Sequence, residues 1–223
     1  MLFLLHGLFG SHSNWTELTS LEEYVSAAGF LVICPEGADS WYTDRPDRPD
    51  HRFETHILDE IIPDAEGRFG AGGSKARRAV AGLSMGGYGA FKFAFHRPEM
   101  FCFAGSMSGA FDIRSFLENE GGKWDELFLS VSEAFGGRTG TDLADEDVYS
   151  LAANCSDPTE IPKLYLDCGR DDDFLGLNRR FSEVLASANI PHEYGEHPGG
   201  HDWDYWNRRV RTVLDRAGSA FGI

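Results

Sequence analysis

Phe30-Leu31-Val32-Ile33-Cys34 is apolar without interruption and is stopped by Pro35. A strand with one face in water alternates polar and apolar residues, so an unbroken run predicts a strand of a parallel sheet, buried on both faces. Further segments that read as strands are Leu2–Leu5, 78–82, 101–108, 163–168 and 192–195. Between them lie stretches that read as helices: 16–28, closed by Gly29; 53–69, with Ile57, Ile61, Ala65 and Phe69 at helical spacing; 85–96; 174–189; and 202–217. Parallel strands need crossovers, and helices are the usual ones. The alternation therefore predicts an α/β chain with an open, mostly parallel sheet covered by helices on both faces. Residues 109–158 are long, Gly-interrupted and patchily helical, which predicts a small cap-like insertion. One domain over residues 1–223 is expected, because a chain of 223 residues can bury a core of its own and Asp44-Arg45-Pro46-Asp47-Arg48-Pro49-Asp50 reads as a stiff loop, not a linker.

The run at 78–82 leads into Gly82-Leu83-Ser84-Met85-Gly86, followed by a stretch with small residues at Gly86, Gly87, Gly89 and Ala90. Glycines on either side of a serine permit a tight, strained strand-to-helix turn that lifts the hydroxyl clear of the sheet, and small residues after it let the helix pack close. Ser84 is the candidate nucleophile. In that arrangement an acid and then a histidine follow, on loops at the carboxyl ends of later strands. After the strand at 163–168 the chain turns through Gly169-Arg170 into Asp171-Asp172-Asp173. Spacing leaves all three open as the acid, and carboxylates there also suit the amino end of the following helix. Of eight histidines, His197 and His201 fall between the last strand and the last helix; Gly199-Gly200 before His201 provides a turn able to bring its ring over the serine. His12, His51, His56, His96 and His192 read as surface residues, and His6 as a brace for its loop. Acyl transfer also needs backbone donors for the oxyanion, expected at the amide after the nucleophile, Met85, and at Leu8 in the loop after the first strand.

A net charge of −16 argues against binding to nucleic acid phosphates. No apolar run approaches the length of a membrane span, and Met1-Leu2-Phe3-Leu4-Leu5 reads as a core strand, not a signal peptide. Four cysteines without C-x-x-C spacing read as reduced thiols, which favours the cytoplasm. No metallohydrolase motif is present, and neither a metal nor another cofactor is expected.

With these residues placed, the chain resembles the esterase D family, especially tributyrin-esterase-like carboxylesterases related to S-formylglutathione hydrolases. The matching segments are Leu5-His6-Gly7-Leu8 through Asn14-Trp15, Ser40-Trp41-Tyr42-Thr43, Ala81 through Ala90, Cys168-Gly169 through Phe174-Leu175, and Gly199-Gly200-His201-Asp202-Trp203. The resemblance implies an α/β-hydrolase fold, Asp172 as the acid, His201 as the base, Leu8 and Met85 as oxyanion donors, and Trp41 and Tyr42 near the acyl pocket. It implies a serine carboxylesterase acting on short-chain acyl esters. S-formylglutathione thioesters, feruloyl or acetyl esters of carbohydrate and acyl transfer to sugars are the alternatives, and a non-catalytic binding module is the alternative of another class. Members of the family carry some tens of residues ahead of the strand that ends in His-Gly. A chain starting at that strand has a truncated sheet edge, and an uncovered edge favours self-association into a homo-oligomer.

Overall fold

The computed structural model describes residues 1–138 and 140–223; Thr139, within the expected cap-like insertion, lies outside the described residues. Six strands, β1 (Leu2–Leu5), β2 (Val32–Ile33), β3 (Ala79–Leu83), β4 (Phe103–Met107), β5 (Lys163–Gly169) and β6 (His192–His197), form one sheet in the order β2-β1-β3-β4-β5-β6. All five pairings are parallel. Successive strand residues point to opposite faces, and here both faces are apolar. Phe3, Leu5, Val80, Ala104, Leu164 and Leu166 enter one core, whereas Leu2, Leu4, Ala79, Ala81, Phe103 and Tyr165 enter the other. That is why the sequence reads as continuous apolar runs.

The second core is closed by α1 (Asn14–Glu17), α2 (Leu21–Ser26) and the long last helix. The expected helix at 16–28 is thus two short pieces. The Thr19 hydroxyl donates to the carbonyl of Trp15 and accepts from the Leu21 amide at 3.1 Å, while the Ser20 amide donates to Asn207 at 2.9 Å. Side chains have taken hydrogen bonds that a continuous helix would need. A second correction concerns the opening apolar run. Only Val32 and Ile33 pair, β2 is an edge strand, and Leu31 remains 39% exposed, because one side of β2 has no neighbouring strand and helices only partly cover it.

On the other face lie α3 (Phe53–Thr55), a π-helical stretch His56–Ile61, α4 (Ile62–Phe69) and α5 (Met85–His96). The π stretch falls just before Pro63, which has no amide to donate and shifts the bonding of a helical run. Helix α5 is apolar nearly all round, as a central helix must be, and every residue from Met85 to Ala94 is buried. Between β4 and β5 come α6 (Ile113–Leu117), α7 (Asp125–Ala134), a 3₁₀ turn Gly140–Leu143 and α8 (Val148–Ala153), the patchy helicity the glycines predict. Helix α9 (Leu175–Ser187) covers β5, and α10 (Trp203–Phe221) returns beneath the sheet. It runs past the expected end at 217 because the left-handed stop is Gly222, φ 80°, while Gly218 stays helical. No helix among the described residues is long and apolar enough to cross a membrane.

One buried ionic network ties the insertion to this frame. Lys92 on α5, fully buried, pairs at 2.8 Å with both Glu54 on α3 and Glu146 in the insertion. Its neighbour His96 donates from Nδ1 to Glu54 at 2.6 Å and from Nε2 to the carbonyl of Asp145 at 2.5 Å.

Candidate active site

Ser84 stands between the end of β3 and the start of α5 with φ 52° and ψ −117°. A non-glycine residue there stores on the order of 1–3 kcal/mol of strain and persists only where its surroundings impose it. They do: the Ser84 amide donates to the carbonyl of Met107 at 2.9 Å, and its own carbonyl accepts from Tyr88 and from Ala110, each at 3.1 Å. The glycines have a second use in close approach. A Cβ on Gly82 would sit 2.4 Å from the Gly86 backbone, and one on Gly86 would sit 2.6 Å from the carbonyl oxygens of Leu5 and His6. The helix packs on β1 and β3 at a distance only glycine allows.

The structure brings Ser84, His201 and Asp172 together. The Ser84 hydroxyl donates to His201 Nε2 at 3.1 Å, and His201 Nδ1 donates to the Asp172 carboxylate at 3.1 and 3.0 Å; the proton assignment follows from the partners. Asp172 has a fully buried side chain and also accepts from the Phe174 amide at 2.8 Å. Burial opposes its ionisation, but the His201 hydrogen bond and charge, the Phe174 amide and the Ser108 hydroxyl outweigh it and hold the carboxyl below its ordinary pKa. The other carboxylates go elsewhere. Asp173 pairs with Lys123 at 2.7 Å, and the carboxylate that meets the amino end of α9, at the amide of its N-cap Phe174, is that of Asp172 and not of Asp171 or Asp173. His197 ends β6, and its carbonyl accepts from the Arg170 amide at 2.8 Å. The two loops are locked by backbone: the Asp171 amide donates to the carbonyl of Gly199 at 3.0 Å, and a Cβ on Gly169 would lie 2.2 Å from that oxygen.

Met85 opens α5 and Leu8 follows the β1 turn; neither amide makes a hydrogen bond to another described residue, and a helix N-terminus favours negative charge. His6, fully buried, donates from Nδ1 to the carbonyl of Gly7 at 2.8 Å and accepts at Nε2 from the Gly37 amide at 2.9 Å. It fixes this loop. The Tyr42 hydroxyl donates to the carbonyl of His6 at 2.9 Å, and the indole of Trp41 donates to Ser130 at 2.9 Å and stacks edge-on to Tyr88. Both aromatics are wholly buried, with φ 53° each, so their effect on a bound molecule passes through the residues they hold in place. Among the remaining histidines, His12 and His56 are exposed, whereas His96 lies in the ionic network.

Sequence reading missed two neighbours of the histidine. Phe174 and Trp206 stand edge-on to either ring direction of His201, with centroids 4.7 and 4.9 Å away, and the Trp206 indole donates to Ser108 Oγ at 3.2 Å. The signal available was position: Trp206 falls in the first turn of α10, whose N-cap Asp202 accepts from the Tyr205 amide at 2.8 Å.

Known proteins share the family and the fold of this chain. The model of the Esterase family matches residues 1–215. An acetyl esterase of Caldicellulosiruptor saccharolyticus is 28% identical over 218 residues, covering 96% of this chain and 81% of that protein. Among solved structures, the fluorophosphonate-binding serine hydrolase FphF of Staphylococcus aureus superposes with a TM-score of 0.83 at 26% identity, over 97% of this chain and 82% of that one. The S-formylglutathione hydrolase FrmB of the same organism gives 0.81 at 27%, over 97% and 83%. These likenesses bear out the esterase D resemblance and the α/β-hydrolase fold. The chain belongs to the Esterase family and is a serine hydrolase acting on carboxylic ester bonds.

Proposed function

We propose that the protein is a carboxylesterase that cleaves short-chain acyl esters through an acyl-enzyme on Ser84, with His201 as base, Asp172 as its orienting acid and the amides of Leu8 and Met85 as oxyanion donors. One observation carries this reading: a serine on a strained elbow, hydrogen-bonded to a histidine whose other nitrogen is held by a buried carboxylate. As Ser84 Oγ attacks the ester carbonyl, its proton passes to His201 Nε2. The carbonyl electron pair moves to oxygen, which the Leu8 and Met85 amides receive. Collapse breaks the bond to the alcohol, which leaves with the proton from Nε2; water then repeats the steps and frees the acid.

The acetyl esterase relative supports a small acyl group. The S-formylglutathione hydrolase neighbour keeps thioesters as a second reading, and carbohydrate feruloyl or acetyl esters are a third. Trp41 and Tyr42 act on the acyl pocket from beneath, by holding Ser130 and the His6 carbonyl. Four free thiols favour a reducing compartment such as the cytoplasm, and the exposed edge at β2 favours self-association. The test is a fluorophosphonate probe on the folded protein with kinetics on p-nitrophenyl acetate and S-formylglutathione. An adduct on Ser84, lost in Ser84→Ala together with turnover, is expected. A folded protein that takes no adduct overturns the proposal in favour of a binding module.

A further inference from the structure

Asp167 on β5 is wholly buried and, two residues on from Tyr165, faces the layer that α10 covers. Three donors converge on its carboxylate. The Tyr205 hydroxyl donates to Oδ1 at 2.7 Å, while the Tyr165 hydroxyl and Arg209 Nε donate to Oδ2 at 2.5 and 2.9 Å. Arg209 also donates to the Tyr165 hydroxyl at 2.5 Å. No step of the acyl transfer uses this cluster. A buried ion pair is weak evidence for stability, because apolar side chains of the same shape often serve a core as well. What a satisfied set of directed bonds adds is a fixed position for each side chain that joins it.

Of the three donors, Tyr205 belongs to the histidine's own segment. His201 sits on residues 198–202, which form neither helix nor strand and include Gly199-Gly200. A glycine pair has more backbone freedom than any other, so the place of this loop must be imposed from outside. The Gly199 carbonyl accepts from the Asp171 amide at 3.0 Å, beside the proposed acid. From below, the loop lies against the Tyr205 ring: Gly199 has φ 132°, and a Cβ there would be 2.7 Å from Tyr205 Cδ2. Past the histidine, the Tyr205 amide donates to Asp202 at 2.8 Å, and the next residue, Trp206, packs edge-on to the His201 ring. Tyr205 therefore meets the loop both before and after His201, and its hydroxyl ties that contact to β5. The same interior strand runs on through Gly169 to the turn carrying Asp172, so one strand is the reference for both base and acid.

We propose that Tyr205, held by Asp167, is a positioning residue for His201, fixing where the loop carries the imidazole between Ser84 and Asp172. The proposal rests on the triad reading and extends it to a residue that touches neither substrate nor reacting atoms. A misplacement of about 1 Å can cost about a hundredfold in rate, so a loop released by half that distance loses about tenfold. The loss falls on proton transfer and not on ester binding, and so on kcat with KM kept.

Two variants separate this role from a merely structural one. Tyr205→Phe removes one hydroxyl and keeps the ring in the core. Tyr165→Phe removes a hydroxyl from the same carboxylate, and an acceptor from Arg209 besides, in the middle of β5. The readouts are kinetics on p-nitrophenyl acetate, the rate at which a fluorophosphonate labels Ser84, and chemical unfolding. Tyr205→Phe is expected to lower kcat about tenfold and to slow labelling by a similar factor, with KM within about twofold of native. Tyr165→Phe should keep kcat and labelling within about twofold of native, although its unfolding midpoint falls at least as far as that of Tyr205→Phe. Equal losses of kcat in the two variants, native kcat in Tyr205→Phe, or a change confined to KM would each overturn the positioning role and leave the triad standing. A folded native protein that takes no adduct overturns the triad reading, and the positioning role with it.

Discussion

The indole of Trp206 stands edge-on to the imidazole of His201, centroids 4.9 Å apart and planes at 87°, while its ring nitrogen donates to Ser108. One side chain from α10 therefore packs against the proposed base and bonds to a hydroxyl that helps hold the proposed acid ionised. Trp206→Phe keeps an aromatic ring near the imidazole and removes the donor together with part of the indole's packing. The expected outcome is a fall of roughly tenfold in kcat with KM little changed, about the worth of one hydrogen bond. Steady-state kinetics check it, and an effect confined to KM would count against the arrangement.

Asp172 and its two neighbours offer a sharper comparison. Asp172→Asn keeps the shape but removes the charge and favours the wrong histidine tautomer, and a loss on the order of 10⁴ in kcat is expected. Asp173→Asn breaks only an exposed pair with Lys123, and Asp171 has no side-chain bond to His201, so either change should cost less than about threefold. Equal losses at all three positions would mean that Asp172 does not orient the base.

Replacing Gly86 by alanine places a methyl 2.6 Å from two carbonyl oxygens of the β1 end. Neither is the end of a flexible side chain, so backbone must move. Destabilisation of about 2–4 kcal/mol is expected, with kcat reduced because the same movement shifts the Leu8 loop. Chemical denaturation read beside kinetics separates the two effects.

The network around Lys92 sets a pH window for stability. Burial opposes the ionisation of Glu54, but the charges and hydrogen bonds of Lys92 and His96 bring its carboxyl down to about 2 from 4.5. A lowered acid contributes stability above its unfolded value and loses it as pH falls through the folded one. The loss between about pH 4.5 and 2 is on the order of 3 kcal/mol. His96 behaves oppositely. Burial disfavours its charge, yet Glu54 raises its pKa above 6.5, and the two donated bonds require both ring protons. Its contribution is complete below pH 6.5 and disappears as pH rises through the folded value. Thermal unfolding across pH should show a maximum between these limits. Lys92→Met should cost about 3–5 kcal/mol by stranding Glu54 and Glu146, with a flatter pH profile.

The elements that came through from sequence are those whose burial is settled by their own residues. Leu2–Leu5 is apolar on both faces and 163–168 nearly so, Asp167 apart, and both proved to be interior strands, while the turn around Ser84 was readable because glycine alone fits where helix meets sheet. The run at 30–34 looked equally buried but fell at the sheet edge, since apolar content reports what a strand could bury and not which neighbours it receives. The helix expected at 16–28 broke because Asn207, far along the chain, took the Ser20 amide.

The same division holds at the site. Residue order alone determined the elbow at Ser84, the window of three aspartates and the pair of candidate histidines, because strand, glycine and turn chemistry are local. Only the tertiary structure decided that Asp172 turns inward while Asp173 meets Lys123, that Phe174 and Trp206 flank His201, and that Tyr205 reaches Asp167. Each of those outcomes depends on which loop ends lie side by side, and that is set by the strand order of the sheet, a long-range property with no signature in neighbouring residues.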